Sequence, residues 1–515
     1  MALELSLEQA QTAEGMHREW AYNCLDVTGT REVWDVLHSR PNSRQALFYA
    51  FERALQAPAM TIMRRGIRVD RIALGDAIRS QTAELRRTEK EVSEREDIKA
   101  KWDLQELRTG ECKQREGKKH RWERFPDDDP RKVCKDCGAG RWQPKPFNCN
   151  SRQQVEHLFH DLLGVPYYKN RKGEVSYDEE VLERIGRKHP EHKPIVDAIL
   201  EVRGHKKQLG FLGSRLGSDG RMYHSVNVGA AWTGRFSASK NPYGLGTNLQ
   251  NIAERWRHIF VADPGWEIFY ADLEQAESRT VAYLADDERY IEAHLSGDTH
   301  TYVCRLVWPD LPWTGDLDRD KVVAKALPPW DEKPGHEYRF QAKRFQHGCN
   351  YGLQPHGIAA IAHIPLKVAK HAYEAYHTAF PGIQGNYHKD VRRRIEEGLP
   401  IVNPFGREIT LFGRPWDPHT FKQGLAAGPQ STIVDALDIG MYRVWKEMDP
   451  ERAQLLAQIH DAILGQRRPG DDATAKRVVE LMTFPIPIGD RVMTIPVEFM
   501  AGRTWGKKDL SVVHV

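Results

Sequence analysis

The sequence lacks long apolar runs, and it has few cysteines for a chain of 515 residues. No run reaches the roughly 18 apolar residues that a membrane helix needs, and the first residues, MALELSLEQAQ, lack the pattern of a signal peptide. We therefore expect no membrane partner and a cytoplasmic location. The seven cysteines are spread unevenly along the chain, which argues against a disulfide framework.

A large net charge is also missing, because 75 Lys and Arg residues stand against 72 Asp and Glu residues. This balance excludes a protein that binds polyanions through its overall charge, but it allows a local basic groove. Hydrophobic residues make up 40% of the chain and charged residues 29%, which is typical of a globular protein. The chain is too long for one core, so we expect several subdomains.

Three patterns follow one another along the chain. A helical periodicity predominates up to residue 100 and returns between residues 146 and 220, whereas short strands and helices alternate from residue 221 onwards. This predicts an α/β (α+β) fold. Residues 101–145 are polar and rich in charges of both signs, which predicts an inserted module.

The inserted module carries a possible metal site. Cys112, His120, Cys134 and Cys137 form the pattern C-x7-H-x13-C-x2-C. Four such ligands suit a closed tetrahedral Zn²⁺ site, and a polar insertion of this size needs a cross-link in order to fold. We predict a structural Zn²⁺ ion here; free thiols in a charged loop are the alternative.

A carboxylate follows one of the apolar strands. Residues 267–271, EIFYA, read as a buried strand, and Asp272 comes directly after them. The simplest local role of Asp272 is to cap a following helix. A second acid, Asp461, lies in the predicted hairpin turn of the apolar segment AQLLAQIHDAILGQ. Two aspartates from separate core strands would instead make a site for Mg²⁺ ions that stabilise a phosphoryl transfer.

A basic and aromatic pattern occurs in EYRFQAKRFQHGCNYG, residues 337–352. Arg339, Lys343, His347 and Tyr351 recur at intervals of four, which places them along one helix face. Two cations followed by two flat rings suit a triphosphate together with a sugar and base. The alternative is an ordinary solvated basic face.

These segments together resemble family A DNA polymerases, the class of bacterial DNA polymerase I and many phage polymerases, over roughly residues 45–510. DLEQAESR, residues 272–279, is similar to the first catalytic motif of the family, and residues 339–352 are similar to its fingers helix. QIHD, residues 458–461, is similar to its palm hairpin. TGRFSASKNPYGLGTNLQNI and GPQST resemble two further segments, and all five occur in family order.

The resemblance implies a right-hand polymerase fold with palm, fingers and thumb. It divides the chain into the end of a former 3′–5′ exonuclease domain (1–45), the thumb and its base (46–100 and 146–220), the zinc-binding insertion (101–145), the palm (221–300 and 396–515) and the fingers (301–395). It also implies a monomeric, primer-dependent DNA polymerase of a phage or mobile-element type, in the cytoplasm of a bacterial host. Its partners would be primer–template DNA, deoxynucleoside triphosphates and, as further candidates, replication proteins or a separate exonuclease.

The resemblance also assigns roles to residues. Two Mg²⁺ ions would be held by Asp272, Asp461 and the backbone carbonyl of Leu273. The incoming nucleotide would be bound by Arg339, Lys343, His347, Tyr351, Glu277 and Gln275. The primer–template would be contacted by Arg235, Gln250, Asn251, Gln430, His460, Lys206 and Lys207. Among these, Glu277 would exclude ribonucleotides by occupying the space of a 2′-hydroxyl.

Some positions depart from the family pattern. His347 replaces a Phe or Tyr, and Ala462 replaces the Glu that usually follows the palm aspartate. A catalytically silent DNA-binding protein and a single-subunit RNA polymerase therefore remain alternatives, although Glu277 argues against the latter. Tyr22 and Asp26 resemble the last exonuclease motif, but the preceding chain is too short for the others, so we expect no proofreading site.

Overall fold

The computed structural model describes residues 31, 32, 35, 43–95, 98, 122–124, 132–136, 140, 141, 147–170, 173–329 and 337–515. Its α-helices are α1 (Ser43–Arg65), α2 (Arg71–Glu94), α3 (Arg152–Glu156), α4 (Glu179–Lys188), α5 (Lys193–Leu212), α6 (Ala276–Leu284), α7 (Glu288–Leu295), α8 (Thr299–Val307), α9 (Leu317–Ala326), α10 (Tyr338–Asn350), α11 (Pro355–Ile361), α12 (Leu366–Ala379), α13 (Lys389–Glu396), α14 (Pro418–Glu447) and α15 (Asp472–Met482). Short 3-10 or π helices cover His157–Leu162, Pro190–His192, Leu249–Asn251, Glu254–Ile259 and Ile383–His388.

Most strands are short. They are β1 (Ile67–Val69), β2 (Trp122–Arg124), β3 (Lys132–Cys134), β4 (Gly140–Arg141), β5 (Arg221–Met222), β6 (Ser225–Asn227), β7 (Ser237–Ser239), β8 (Phe260–Val261), β9 (Glu267–Leu273), β10 (Ile401–Val402), β11 (Glu408–Ile409), β12 (Ala453–Ile459), β13 (Ala462–Arg467), β14 (Ile486–Ile488), β15 (Arg491–Met493), β16 (Val497–Gly502) and β17 (Ser511–Val512). Helices and strands therefore mix from β5 onwards, as the sequence predicts.

An antiparallel sheet with the strand order β12-β13-β9-β16-β17 forms the centre of the described structure. Side chains of β9 alternate between two apolar cores, as strand geometry requires. Phe269 and Ala271 pack in the core that contains α6, α14 and α15, whereas Ile268 packs in the core that contains β1, β8 and part of α2. The helices from α6 to α14 lie between β9 and β12 in the chain, so the sheet joins distant segments.

A buried ion pair fastens the long helix α14 to its neighbours. Asp435 of α14 is fully buried and pairs with Arg407, whose Nη2 donates to the carboxylate at 2.8 Å. The Nη1 of Arg407 donates to Glu52 of α1, also at 2.8 Å, and Asn403 donates to Asp435 at 2.6 Å. Burying a charge is favourable only with such partners. These contacts therefore hold α1, α14 and the β10–β11 hairpin together.

A buried polar network fixes helix α10. The Nε2 of Gln346 and the Nδ2 of Asn350, both on α10, donate to the hydroxyl of Tyr290 at 2.7 Å and 3.1 Å. The hydroxyl of Tyr376 donates to the Oδ1 of Asn350 at 2.8 Å. Because buried polar atoms need their partners, this network ties one face of α10 to α7 and α12.

The helical pair α2 and α5 belongs to a separate apolar core with α3 and α4. Polar contacts link this pair to the strand region, for example through buried Gln81 of α2, whose Oε1 accepts from Trp256 at 3.0 Å and from Arg255 at 2.6 Å. Helices α1 and α2, with β1 between them, confirm the helical pattern predicted up to residue 100 for the residues described.

The structure excludes one of the two roles considered for Asp272. Strand β9 continues through Leu273, and α6 begins at Ala276 with Gln275 at its N-cap in the left-handed region (φ 50°). Asp272 is therefore a strand residue, and the helix-capping alternative is wrong. None of the helices described here is both long and apolar enough to cross a lipid bilayer.

Two predictions fall mainly on residues without a described placement. Cys112, His120 and Cys137 lie outside the described residues, and of Cys134 the structure describes the backbone alone, in a small sheet of order β2-β3-β4. Tyr22 and Asp26 also lie outside them. The Zn²⁺ site and the missing exonuclease site therefore stay predictions.

Gly465 of β13 offers a test of the central sheet. A Cβ atom at this position would overlap the ring of Phe269 and lie 2.7 Å from the carbonyl oxygen of Gln454. We expect Gly465→Ala to lower the free energy of unfolding by about 1–3 kcal/mol, the usual cost of overpacking. Urea unfolding followed by circular dichroism would measure the change. Gly210→Ala is the control, because a Cβ atom there meets nothing within 4 Å; equal midpoints for both variants would contradict the prediction.

Candidate active site

The two predicted aspartates meet at one end of the central sheet. Strands β12 and β13 are joined by a tight turn of His460 and Asp461, with His460 in the left-handed region (φ 56°). Strand β13 then pairs with β9 so that Ala462 lies opposite Asp272. The backbone N–H of Leu273 donates to the carbonyl oxygen of Asp461 at 3.1 Å. Asp272, Leu273 and Asp461 are therefore brought to the same end of the sheet.

The electrostatics of this pair favour a bound cation. Burial, followed by the charges of Asp461 and Glu498, raises the pKa of Asp272 to about 7, while Lys343 acts in the opposite direction. Burial also raises the pKa of Asp461. Two carboxylates that are partly removed from water and repel each other are stabilised by an added positive charge. The two carboxylates therefore supply oxygen ligands of the kind that Mg²⁺ prefers.

Glu498 is an acid of this site that sequence reasoning missed. It lies on β16, which pairs with β9 so that Glu498 is directly opposite Asp272. Its charge contributes to the raised pKa of Asp272. Nothing in the local pattern of residues 497–502 distinguishes it from other strand residues. Across the described part of the chain, no group of three or more His, Cys, Asp or Glu side chains has the geometry of a metal site.

Glu277 is the centre of a second cluster. Its Oε1 accepts from the Nη2 of Arg235 at 3.2 Å, and its Oε2 accepts from the hydroxyl of Tyr351 at 3.0 Å. The Nδ1 of His347 lies 3.4 Å from the same Oε2, and the His347 and Tyr351 rings meet edge to face at 4.5 Å. The pKa of His347 is lowered, because the effect of burial outweighs the opposing effect of the Glu277 charge. The structure thus places three predicted residues, Arg235, His347 and Tyr351, around the carboxylate of a fourth, Glu277.

The predicted cations of α10 occupy different surroundings. The charge of Lys343 acts on both aspartates, which places this lysine near the carboxylate pair. Arg339 instead forms a two-bond ion pair with Asp298, the N-cap residue of α8. Tyr351 follows the last residue of α10 rather than lying within it. Sequence reasoning missed Asp298, because its partner on α10 is distant in the chain.

The predicted duplex-binding residues divide into two groups. The Nε2 of Gln250 reaches the carbonyl of Gln458 at 3.5 Å, and the backbone of Gln250 contacts the ring of His460. The carbonyl oxygen of Asn251 accepts from Gln208 at 3.3 Å, which places it close to α5. Gln430 is partly buried on α14.

Lys206 and Lys207 form the second group and are exposed on α5. Arg203, which lies about one turn before them on α5, points inwards, and its Nε donates to the carbonyl of Cys149 at 2.8 Å. It therefore adds less exposed positive charge to this part of α5 than Lys206 and Lys207 do. Within the nucleotide cluster, the Oε1 of Gln275 is buried and has no hydrogen-bond partner among the residues described.

Comparison with known proteins identifies the family to which the chain belongs. Residues 138–507, more than half of the chain, match the family described as DNA polymerase family A. The thermostable DNA polymerase I of Thermus aquaticus is 28% identical over 387 residues, which are 70% of this chain and 42% of that protein. DNA polymerase I of Chloroflexus aurantiacus is 27% identical over 390 residues, or 70% of this chain and 37% of that protein. The chain thus spans less than half the length of these curated relatives.

A solved structure is similar in fold. It is the POL domain of Pol1 from M. smegmatis, described as a complex with DNA primer-template and dNTP, and it matches with a TM-score of 0.62 at 23% identity. The match covers 88% of this chain and 70% of that one. Together with the family match over residues 138–507, this leads to one conclusion: the chain belongs to DNA polymerase family A.

Proposed function

We propose that this chain is a template-directed, primer-dependent DNA polymerase, a nucleotidyltransferase that adds deoxynucleotides to a 3′-hydroxyl in DNA replication or repair. The observation that carries the proposal is the juxtaposition of Asp272 and Asp461 beside Lys343, in a chain that belongs to DNA polymerase family A. The similar M. smegmatis structure, described with primer-template and dNTP, supports the same substrates.

The two aspartates and the Leu273 carbonyl are the proposed ligands of two Mg²⁺ ions. Bound Mg²⁺ would lower the pKa of the primer 3′-hydroxyl and neutralise charge on the triphosphate. The role of the protein is to hold Asp272 and Asp461 at a fixed separation, which the pairing of β9 with β13 does. Lys343, whose charge already acts on both carboxylates, would also attract the phosphates.

The Glu277 cluster is the proposed sugar and base site. Arg235, His347 and Tyr351 surround the Glu277 carboxylate, so its position is fixed before a nucleotide binds. A fixed carboxylate can exclude a 2′-hydroxyl, which is the role that we propose for Glu277. His347 is flat enough to stack on a base or sugar, although its ring is smaller than the usual Phe. Gln275 would contribute its unpaired amide oxygen to the same site.

Duplex binding and subdomains are proposed on the same basis. Gln250, whose backbone contacts His460, and Arg235, which pairs with Glu277, would contact the primer terminus. His460, Asn251 and Gln430 would contact it as well. Lys206 and Lys207 of α5 would contact the phosphate backbone.

We propose the palm at 221–300 and 396–515, the fingers at 301–395 and the thumb at 46–100 and 146–220. The central sheet draws its strands from both proposed palm segments. We also propose that the 515-residue chain has no proofreading site of its own.

The aspartate pair provides the direct test of the proposed reaction. Asp272→Asn and Asp461→Asn each remove a carboxylate at the reacting phosphate, so we expect primer extension with Mg²⁺ to slow by at least about 1,000-fold. A gel-based extension assay with purified protein would measure this rate. Asp310→Asn, a change at an exposed position, is the matched control. Extension near the wild-type rate by either active-site variant would contradict the proposal, and an inactive wild-type chain would favour a silent DNA-binding protein.

The raised pKa of Asp272 makes a separate prediction about stability. An aspartate whose pKa is about 7 in the folded protein and about 4 when unfolded destabilises the fold once it is ionised. In metal-free buffer above about pH 7, Asp272→Asn should therefore raise the midpoint of thermal unfolding, and the gain should vanish near pH 4. A gain that does not change with pH would show that the carboxylate charge is not its cause.

Glu277 provides the test of sugar selection. Glu277→Ala should increase ribonucleotide incorporation relative to deoxynucleotide incorporation by about 100-fold, the order of discrimination that one steric contact gives. Glu277→Gln keeps the size of the side chain and should keep most of the selectivity, so it is the control. Single-nucleotide insertion with each sugar would measure both ratios. An unchanged ratio in Glu277→Ala would favour the RNA polymerase alternative.

We further propose the structural Zn²⁺ site of Cys112, His120, Cys134 and Cys137. Protein purified without chelator should contain about one zinc per chain, because four soft or imidazole ligands hold this ion tightly. Elemental analysis should find the metal lost in Cys134→Ser and kept in Cys24→Ser, which changes a cysteine outside the pattern. Wild-type protein without zinc would remove this proposal and leave the polymerase assignment intact.

A further inference from the structure

Arg339, the residue proposed to bind the triphosphate, is already held by a buried carboxylate. Its Nε and Nη2 donate to the Oδ2 and Oδ1 of Asp298 at 2.6 Å and 2.5 Å. Two parallel bonds of this kind fix the plane of a guanidinium as well as its position. Asp298 is 4% exposed, whereas the Arg339 side chain is 24% exposed. One edge of the guanidinium is therefore buried and the rest can reach solvent.

Asp298 is itself held firmly. It is the N-cap residue of α8, where its Oδ2 accepts from the backbone N–H of Thr301 at 3.1 Å and from the Thr301 hydroxyl. Burial alone would raise the pKa of Asp298, but the hydrogen bond and the charge of Arg339 outweigh it and hold this pKa well below its usual range. The carboxylate is thus charged throughout the working range of pH, and it ties Arg339 to the start of α8.

The pairing does not use up the donors of Arg339. A guanidinium has more N–H groups than the two engaged here, and its Nη1 is not bound by Asp298. His300, two residues after Asp298, is bound through Nδ1 to Gln346 of α10 at 2.6 Å. Burial lowers the pKa of His300 to about 4, so this ring is neutral. The positive charge in this region therefore comes from the Arg339 guanidinium itself and from Lys343, which lies one turn further along α10.

We propose that Asp298 is a positioning residue, which holds the Arg339 guanidinium ready for the triphosphate of the incoming nucleotide. The inference rests on the proposed polymerase function. An arginine without such a partner must lose its side-chain freedom when the nucleotide binds, and that loss weakens binding. Removal of the Asp298 charge should therefore weaken nucleotide binding about three- to tenfold, while the chemical step, which depends on Asp272 and Asp461, changes little.

The chain offers a matched control in Asp287. It is also buried, at 5% exposure, and it is also an N-cap, with its Oδ1 accepting from the backbone of Tyr290 at 3.0 Å in α7. Its second oxygen accepts from the backbone N–H of Gly382 at 2.7 Å instead of from an arginine. Asp287→Asn and Asp298→Asn thus make the same chemical change at buried caps, and they differ in the link to Arg339.

The experiment measures the affinity of the correct deoxynucleoside triphosphate for the complex of full-length chain with a primer–template that ends in a dideoxynucleotide. Steady-state insertion on an extendable primer gives KM and kcat for the same variants. We expect Asp298→Asn to raise Kd and KM about three- to tenfold with kcat changed less than twofold, and Asp287→Asn to leave the nucleotide Kd unchanged. In an Arg339→Ala background, Asp298→Asn should add no further loss, because Asp298 acts through Arg339.

Each outcome decides the inference. The inference would be overturned if the nucleotide Kd of Asp298→Asn were unchanged or lower, or if Asp287→Asn lost as much nucleotide affinity. It would also be overturned if Asp298→Asn lowered the affinity further in the Arg339→Ala background. If thermal unfolding shows that Asp298→Asn does not fold, Asp298→Glu replaces it. This variant keeps the negative charge but shifts the carboxylate. A nucleotide affinity equal to that of the wild type would again overturn the inference. A wild-type chain that extends no primer would overturn the proposed function and the inference with it, whereas normal extension with an unaffected Asp298→Asn Kd would overturn the inference alone.

Discussion

The antiparallel pairing of β9 with β13 is the interaction on which the candidate site depends. Side chains alternate between sheet faces, so a shift of one residue in this pairing would move Asp272 to the opposite face from its present neighbours. The observed register places Ala462 beside Asp272, and the two-residue turn before it brings Asp461 to the same end of the sheet. Gly465 secures this register, because its missing side chain makes room for the ring of Phe269.

Helix α10 is the second element of the site, and buried polar contacts fix its orientation. Gln346 and Asn350 form hydrogen bonds with Tyr290 and Tyr376, so the helix cannot rotate without breaking these contacts. Arg339 and Lys343 lie seven residues before Gln346 and Asn350, which puts them on the same side of the helix. The network therefore also fixes the direction in which the two cations project.

Charge in this protein is balanced in local pairs. Arg339 is paired with Asp298, Arg235 with Glu277, and Arg407 with Asp435. Such pairs fix the direction of long side chains, although each also reduces the net charge that a distant polyanion would meet. This agrees with a chain whose formal net charge is +3. Attraction for phosphate would therefore be short-range, and it would depend on where each guanidinium edge faces.

The sequence by itself determined the features that rest on local spacing. The helix that carries Arg339, Lys343 and His347, the apolar hairpin around Asp461 and the helical pattern before residue 100 each follow from periodicity within one segment, and the structure confirms them for the residues described. The same local reasoning left Asp272 open between a helix cap and a metal ligand.

Tertiary structure alone decided the rest, because those features depend on pairing between segments far apart in the chain. Pairing on both sides of β9 keeps Asp272 within a strand, so it cannot cap α6. Glu498 reaches Asp272 through strand register, and Asp298 reaches Arg339 through the packing of α8 against α10. A spacing along one segment carries no information about which residue of another segment will lie opposite it. That choice is made by the burial of apolar faces when the sheet and helices assemble.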